Sequence, residues 1–237
     1  MSINNSNSII VSGLEIIIER KDIKNLHIGV YPPNGKIRVA TPLKLNDEAV
    51  RLAVISRLSW IKKQRQNFLD QPRQSKREMA TGESHYLFGK RYLLDVKHGN
   101  KKHEIHKKHS KLELYVKKNT TVENRYKVLE KYYRDNLKSE IVKFVIKWQE
   151  IIGVNIDSWK IQKMKTKWGS CNIEDKRLLF NLELVKVPLE CIEYIVVHEI
   201  LHLLERHHND NFKALLDKYM NDWQSRKEKL KLCQIEY

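Results

Sequence analysis

Cysteine is scarce in this chain. Cys171, Cys191 and Cys233 are widely spaced and form no CxxC pair within the 237 residues. That excludes a disulfide framework and favours a reducing compartment. No apolar run approaches the roughly 18 residues needed to cross a bilayer. The opening stretch "MSINNSNSII" has neither the basic start nor the long apolar run of a secretory signal. A cytoplasmic location without membrane attachment is the expectation. Low-complexity linkers and internal sequence repeats are lacking too, so one compact unit able to build its own core is expected.

Acidic residues are the minority charge, 29 Asp+Glu against 45 Lys+Arg, for a formal net charge of +16. Such an excess attracts polyanions at low salt without identifying one. It is concentrated in two runs. Residues 60 to 77 hold Lys62, Lys63, Arg65, Arg73, Lys76 and Arg77 against Asp70, and residues 97 to 118 hold eight lysines against Glu104 and Glu113. Solvated faces of a basic protein account for both runs, and a nucleic-acid partner is the competing reading.

Residues 9 to 41 alternate apolar and polar in short runs with "PPNG" as a turn, the pattern of an antiparallel meander. Asn46 is placed to cap one helix over "DEAVRLAVISRLSWIKKQRQNFL", ended by "QPRQS". "HYLFGKRYLLDV" and "KLELYVKK" read as strands joined by a Lys/His-rich turn, and Val122 to Ile152 as a long helix stopped by Gly153. Residues 159 to 187 read as strands again, and the chain after Pro188 as helix. The fold class predicted is α+β: a β-rich N-terminal half with one helix, residues 1–120, packed with a helical half, residues 121–237.

One helix stands out, "VVHEILHLLERHHNDNF" at 196 to 212. His198, Glu199 and His202 spell H-E-x-x-H. At about 100° per residue, positions i and i+4 share a helix face, so both imidazoles can hold one metal ion with a carboxylate beside them. Neutral imidazoles bind Zn²⁺ at about 2.0 to 2.1 Å, an open position admits water, and Glu199 is placed to take its proton. With 10 histidines and 19 glutamates in the chain, chance supplies roughly 0.03 such matches. The apolar spacing of Leu189, Ile192, Ile195, Val196, Leu203 and Leu204 sets the motif on a long helix, where the chemistry needs it. A third ligand is required, and His207 and His208 are both candidates. Either demands that the helix stop near Arg206, with Asn209 or Asp210 capping a new one.

These blocks resemble the YgjP-like family of predicted metal-dependent hydrolases, related to SprT-like and other zincin metallopeptidases. The family's aromatic-flanked third histidine falls on His208, with Phe212 as the aromatic. The resemblance extends over most of the chain, through "NGKIRVATP", Trp60-Ile61, "GESHYLFGKRYLL", "WGSC" at 168 to 171, "LLFNLEL" and "EYIVVHE". It departs at Asp222, before Trp223, and at Leu201, neither on the metal chemistry. It implies a zinc-dependent metallopeptidase of the gluzincin/SprT-like kind, acting on a peptide or protein, with His198, His202 and His208 on Zn²⁺ and Glu199 as general base. The zinc ribbon that SprT-like proteases often add is lacking. A nucleic-acid-associated protein with a structural or vestigial zinc site, or a protease recruited to DNA, is the alternative.

"KWGSCNIEDKRLLFNLEL" reads as a hairpin turning at "NIEDK". Zincin-type peptidases hold an extended substrate against an edge strand, so residues 178 to 184 are expected to supply that edge, with Leu179, Phe180 and Asn181 binding substrate. Cys171 reads as a structural thiol, and Ser170 lacks the G-x-S-x-G elbow of serine hydrolases. His98, His103, His106 and His109 read as an exposed hairpin end. The oxyanion stabiliser is unassigned, with Tyr194 and His207 among several candidates. A carboxylate holding one ligand histidine by its other ring nitrogen is expected.

Overall fold

The computed structural model describes residues 6–31, 34–70, 78–99 and 102–233. By its internal contacts the chain divides into two compact units, Met1–Gln74 and Ser75–Glu236. The division falls after residue 74, whereas the sequence suggested one unit with a subdivision near 120. The physical reason is that Leu94, Leu112 and Leu114, from strands before residue 120, share one apolar cluster with Leu137, Ile141 and Val196 from the helices beyond it.

The first unit holds β1 (Ser6–Val11), β2 (Leu14–Lys21), β3 (His27–Tyr31) and β4 (Lys36–Pro42), then α1 (Asp47–Ser56) and α2 (Leu58–Asp70). Its sheet runs β1-β2-β4-β3. Alternation predicted the strands but not their partners: β2 pairs β4 in parallel, so this is no meander. Ile16, Ile18, Ile37 and Val39 point from the inner pair into a core completed by Val50, Val54 and Ile61. Asn46 caps α1, its side chain accepting from the Ala49 amide at 2.9 Å. The helix predicted as continuous to residue 69 breaks at Arg57, and "QPRQS" lies outside the described residues.

The second unit repeats that wiring. β5 (Ser84–Leu87), β6 (Lys90–His98), β7 (Glu104–Lys108) and β8 (Lys111–Val116) form a sheet in the order β5-β6-β8-β7, again with the inner pair parallel. "HYLFGKRYLLDV", read as one strand, is two, folded at Phe88-Gly89 with φ of 49° and 77°. Positive φ at both central residues suits the twist of a two-residue hairpin. β7 lies within the stretch read as a Lys/His-rich turn.

Next comes α3 (Val122–Ile152), about 46 Å long at 1.5 Å per residue. It spans the predicted residues, opened by Thr121 accepting from the Asn124 amide and closed by Gly153 at φ 77°. Leu129, Tyr133, Leu137, Ile141 and Val145 recur every four residues on its buried face. A small sheet comes after it, β9 (Ser158–Gln162), β10 (Gly169–Asn172) and β11 (Arg177–Asn181), in the order β10-β11-β9. A 3₁₀ turn, Leu182–Lys186, leads into α4 (Leu189–Leu201), α5 (Asp210–Tyr219) and α6 (Trp223–Leu232).

Candidate metal centre

α4 is placed from three sides. The amides of Phe88 and Gly89 donate to the carbonyls of Val185 and Lys186 at 2.7 and 3.1 Å, so the β5–β6 turn grips the segment leading into the helix. A Cβ on Gly89 would meet Pro188, which opens α4, at 2.8 Å. On another side, Glu193 accepts from Lys147 Nζ at 2.7 Å and Trp148 Nε1 at 3.0 Å on α3, and from Arg226 on α6 at 2.7 Å. Burial by itself pushes the Glu193 carboxyl up; these three donors outweigh it and hold it below the usual range. β10 packs along the third side.

The expected helix break is present, before Arg206. α4 ends at Leu201 with His202 as its C-cap, the chain turns, and the Asn209 side chain accepts from the Phe212 amide at 3.0 Å to start α5. The reversal brings His208 beside His198 and His202, with one imidazole nitrogen from each within 4.8 Å of the others. His198 Nε2 and His208 Nε2 are 2.9 Å apart. The Phe212 ring closes the cluster, its centroid 4.9, 4.7 and 4.9 Å from those of His198, His202 and His208. His207 stays outside, exposed, with its amide donating to Glu205.

The donor set fits zinc. Three tetrahedral ligands at about 2.05 Å place their nitrogens about 3.3 Å apart, inside the 4.8 Å within which these ring nitrogens lie. Burial, then the neighbouring His202 and His208, depresses His198 to about 3, and burial lowers His202 too, so both imidazoles are held in the neutral, metal-binding form. His202 Nδ1 lies 3.1 Å from the Glu205 carbonyl oxygen, which fixes the tautomer and leaves Nε2 free. That partner is backbone, where a carboxylate was expected.

Glu199 is 5% exposed. Burial pushes its carboxyl up to about 8, opposed by the charge of Lys167. It faces an open cleft of about 800 Å³ between α4 and β10, lined also by Trp168, Gly169, Ser170 and Cys171. Cys171 is pushed up to about 11 by burial and then by Glu199, in keeping with an unreactive thiol. Tyr194, proposed for the oxyanion, is buried one turn before His198 with its ring against that imidazole, and does not line the cleft.

The expected substrate edge is displaced by one strand. β11, carrying Leu179, Phe180 and Asn181, is the middle strand, paired with β10 on one side and β9 on the other, so it has no edge to offer. Phe180 is core. Asn181 is fully buried and ties down the loop before β10: it accepts from the Met164 and Glu183 amides and donates to the Met164 and Lys167 carbonyls. The edge strand on the cleft is β10. The run of apolar residues in "RLLFN" carried the signal, because a strand apolar on both faces is a central one.

Part of the basic run at 97 to 118 is neutralised. Lys97 and Lys108 both reach Glu113, Lys111 reaches Asp95, and the run at 60 to 77 falls largely outside the described side chains. His98, His103, His106 and His109 do not gather as metal ligands among the described residues. No helix among the described residues is long and apolar enough to cross a membrane.

No curated protein matches the chain. Among solved structures it is similar to the metallopeptidase zymogen abylysin of Pyrococcus abyssi, at 14% identity and a TM-score of 0.36, covering 39% of this chain and 92% of that one. It is also similar to the zymogen jannalysin of Methanocaldococcus jannaschii, at 26% identity and a TM-score of 0.34, covering 41% and 97%. Residues 24–232 match the family described as YgjP-like, metallopeptidase domain, and the chain belongs to that family.

Proposed function

We propose that this YgjP-like metallopeptidase hydrolyses peptide bonds with His198, His202 and His208 holding a zinc ion and Glu199 acting as general base. The observation that carries the reading is the convergence of three imidazoles, from α4, its C-cap and the loop that follows, on one cleft, with a buried carboxylate one residue from the first of them. When bound, zinc supplies a Lewis acid that polarises a carbonyl and acidifies water. Glu199 takes the proton of the attacking water on a carboxylate oxygen and passes it to the leaving amine. Phe212 and the Glu205 carbonyl keep the imidazoles aimed. β10, with one side free of strand partners among the described residues, supports binding of an extended peptide by strand addition in place of the residues 178 to 184 first expected.

Metal analysis beside peptide hydrolysis tests this. Glu199→Gln should keep about one zinc per chain and lose turnover, whereas His202→Ala and His208→Ala should lose both. Full turnover by Glu199→Gln would remove the mechanism.

A further inference from the structure

The cleft has a charge bias that the ligands and the base do not explain. Besides Glu199, its charged lining residues are Lys167, Arg206 and Glu174. Lys167 stands two residues before β10, and Arg206 lies on the loop between the second and third histidines, so separate segments bring positive charge to one cleft. Both are exposed, and neither has an ion-pair partner among the described residues. Some cations elsewhere in the unit sit in ion pairs, among them Lys97 and Lys108 with Glu113, Lys163 with Glu130, Lys186 with Glu183, and Arg226 with Glu193. Glu174 lies past the far end of β10, so the strand runs from a cationic approach to an anionic exit.

We propose that Lys167 and Arg206 select acidic side chains close to the scissile bond, so that the preferred substrates are extended peptides carrying Asp or Glu there. The inference rests on the peptidase reading and names the substrate class for it. An edge strand offers backbone donors and acceptors that an extended peptide matches, and two unpaired cations match two carboxylates. A nucleic-acid strand fits less well, because binding by phosphate contacts commonly neutralises about six to ten phosphates.

The test uses the zinc-loaded full chain carrying Glu199→Gln, so that binding is read without turnover. Fluorescently labelled decapeptides, one acidic, one neutral and one basic, are titrated by anisotropy. The acidic peptide should bind about tenfold more tightly than the neutral one. Adding Lys167→Glu and Arg206→Glu together should abolish that preference and favour the basic peptide, with zinc content unchanged. Equal binding of all three peptides, or a preference untouched by the reversal, overturns the proposal. So does a single-stranded DNA oligomer that binds more tightly than the acidic peptide and is lost on the same reversal. Cleavage of a mixed peptide library by the wild-type chain separates the two readings. Cleavage without enrichment of Asp or Glu near the cut leaves the peptidase standing and removes the selectivity. Selective acidic binding without any cleavage supports the selectivity and removes the peptidase.

Discussion

Gly169 and Glu199 occupy each other's space: a Cβ built on Gly169 would lie 2.7 Å from both Cγ and Oε1 of Glu199. The strand must be glycine there for the buried carboxylate to sit where it does. Gly169→Ala should therefore keep its zinc, because no histidine is touched, and lose hydrolysis by roughly 100-fold, the scale of an ångström-sized misplacement of a reacting group. Metal content and kcat measured side by side check this, and unchanged kcat would show that Glu199 tolerates displacement.

Phe212 touches all three imidazole rings from a buried position on α5. Phe212→Leu should weaken zinc binding by about tenfold, as loss of a ligand's outer support does, read by competition with a chromogenic chelator. Phe212→Ala should in addition destabilise the second unit by about 4 kcal/mol.

Asn181 holds the approach to β10 through three hydrogen bonds and the turn after β11 through a fourth. Asn181→Ala should cost about 3 kcal/mol by stranding buried backbone groups, and should lower hydrolysis through a loosened β10. Asn181→Asp keeps the two accepted bonds but sets a buried carboxylate oxygen against the Met164 and Lys167 carbonyls, so urea unfolding should place it no higher than Ala.

Glu193 ties α4 to α3 and α6. Its folded-state carboxyl is held below the usual range, so its contribution to stability is present above the unfolded value of about 4.3 and is lost as pH falls through the lower folded value. Glu193→Ala should cost about 3 kcal/mol near pH 7, or about 6 to 12 °C in Tm. The gap from wild type should narrow as pH drops below about 4. A gap that persisted to pH 2 would show that packing and not charge is responsible.

The histidine cluster was legible because a helix imposes a period: His198 and His202 share a face whatever surrounds them. A break was legible too, expected near Arg206 and found after Leu201, since a third histidine beside the first two forces one and Asn209 can cap the next helix. α3 was readable from Thr121 to Gly153 because caps are local chemistry. What the sequence withheld was pairing. Alternation marks β2 and β4 as strands without saying that they run parallel, and the role of Gly169 depends on a side chain thirty residues further on. Leu179, Phe180 and Asn181 read as an edge only while chain order stands in for spatial order.

The repeated strand order puts the same kind of turn to two uses. Each unit folds two hairpins around a parallel inner pair and opens the first hairpin with a two-residue turn ending in glycine, Ser12-Gly13 in one and Phe88-Gly89 in the other. The two turns carry different burdens. A side chain starting at Gly13 would find nothing within 4 Å, while one at Gly89 would strike Pro188 at the entrance to the helix that carries His198 and Glu199. One turn is a plain corner; the other is a footing for the histidine-bearing helix.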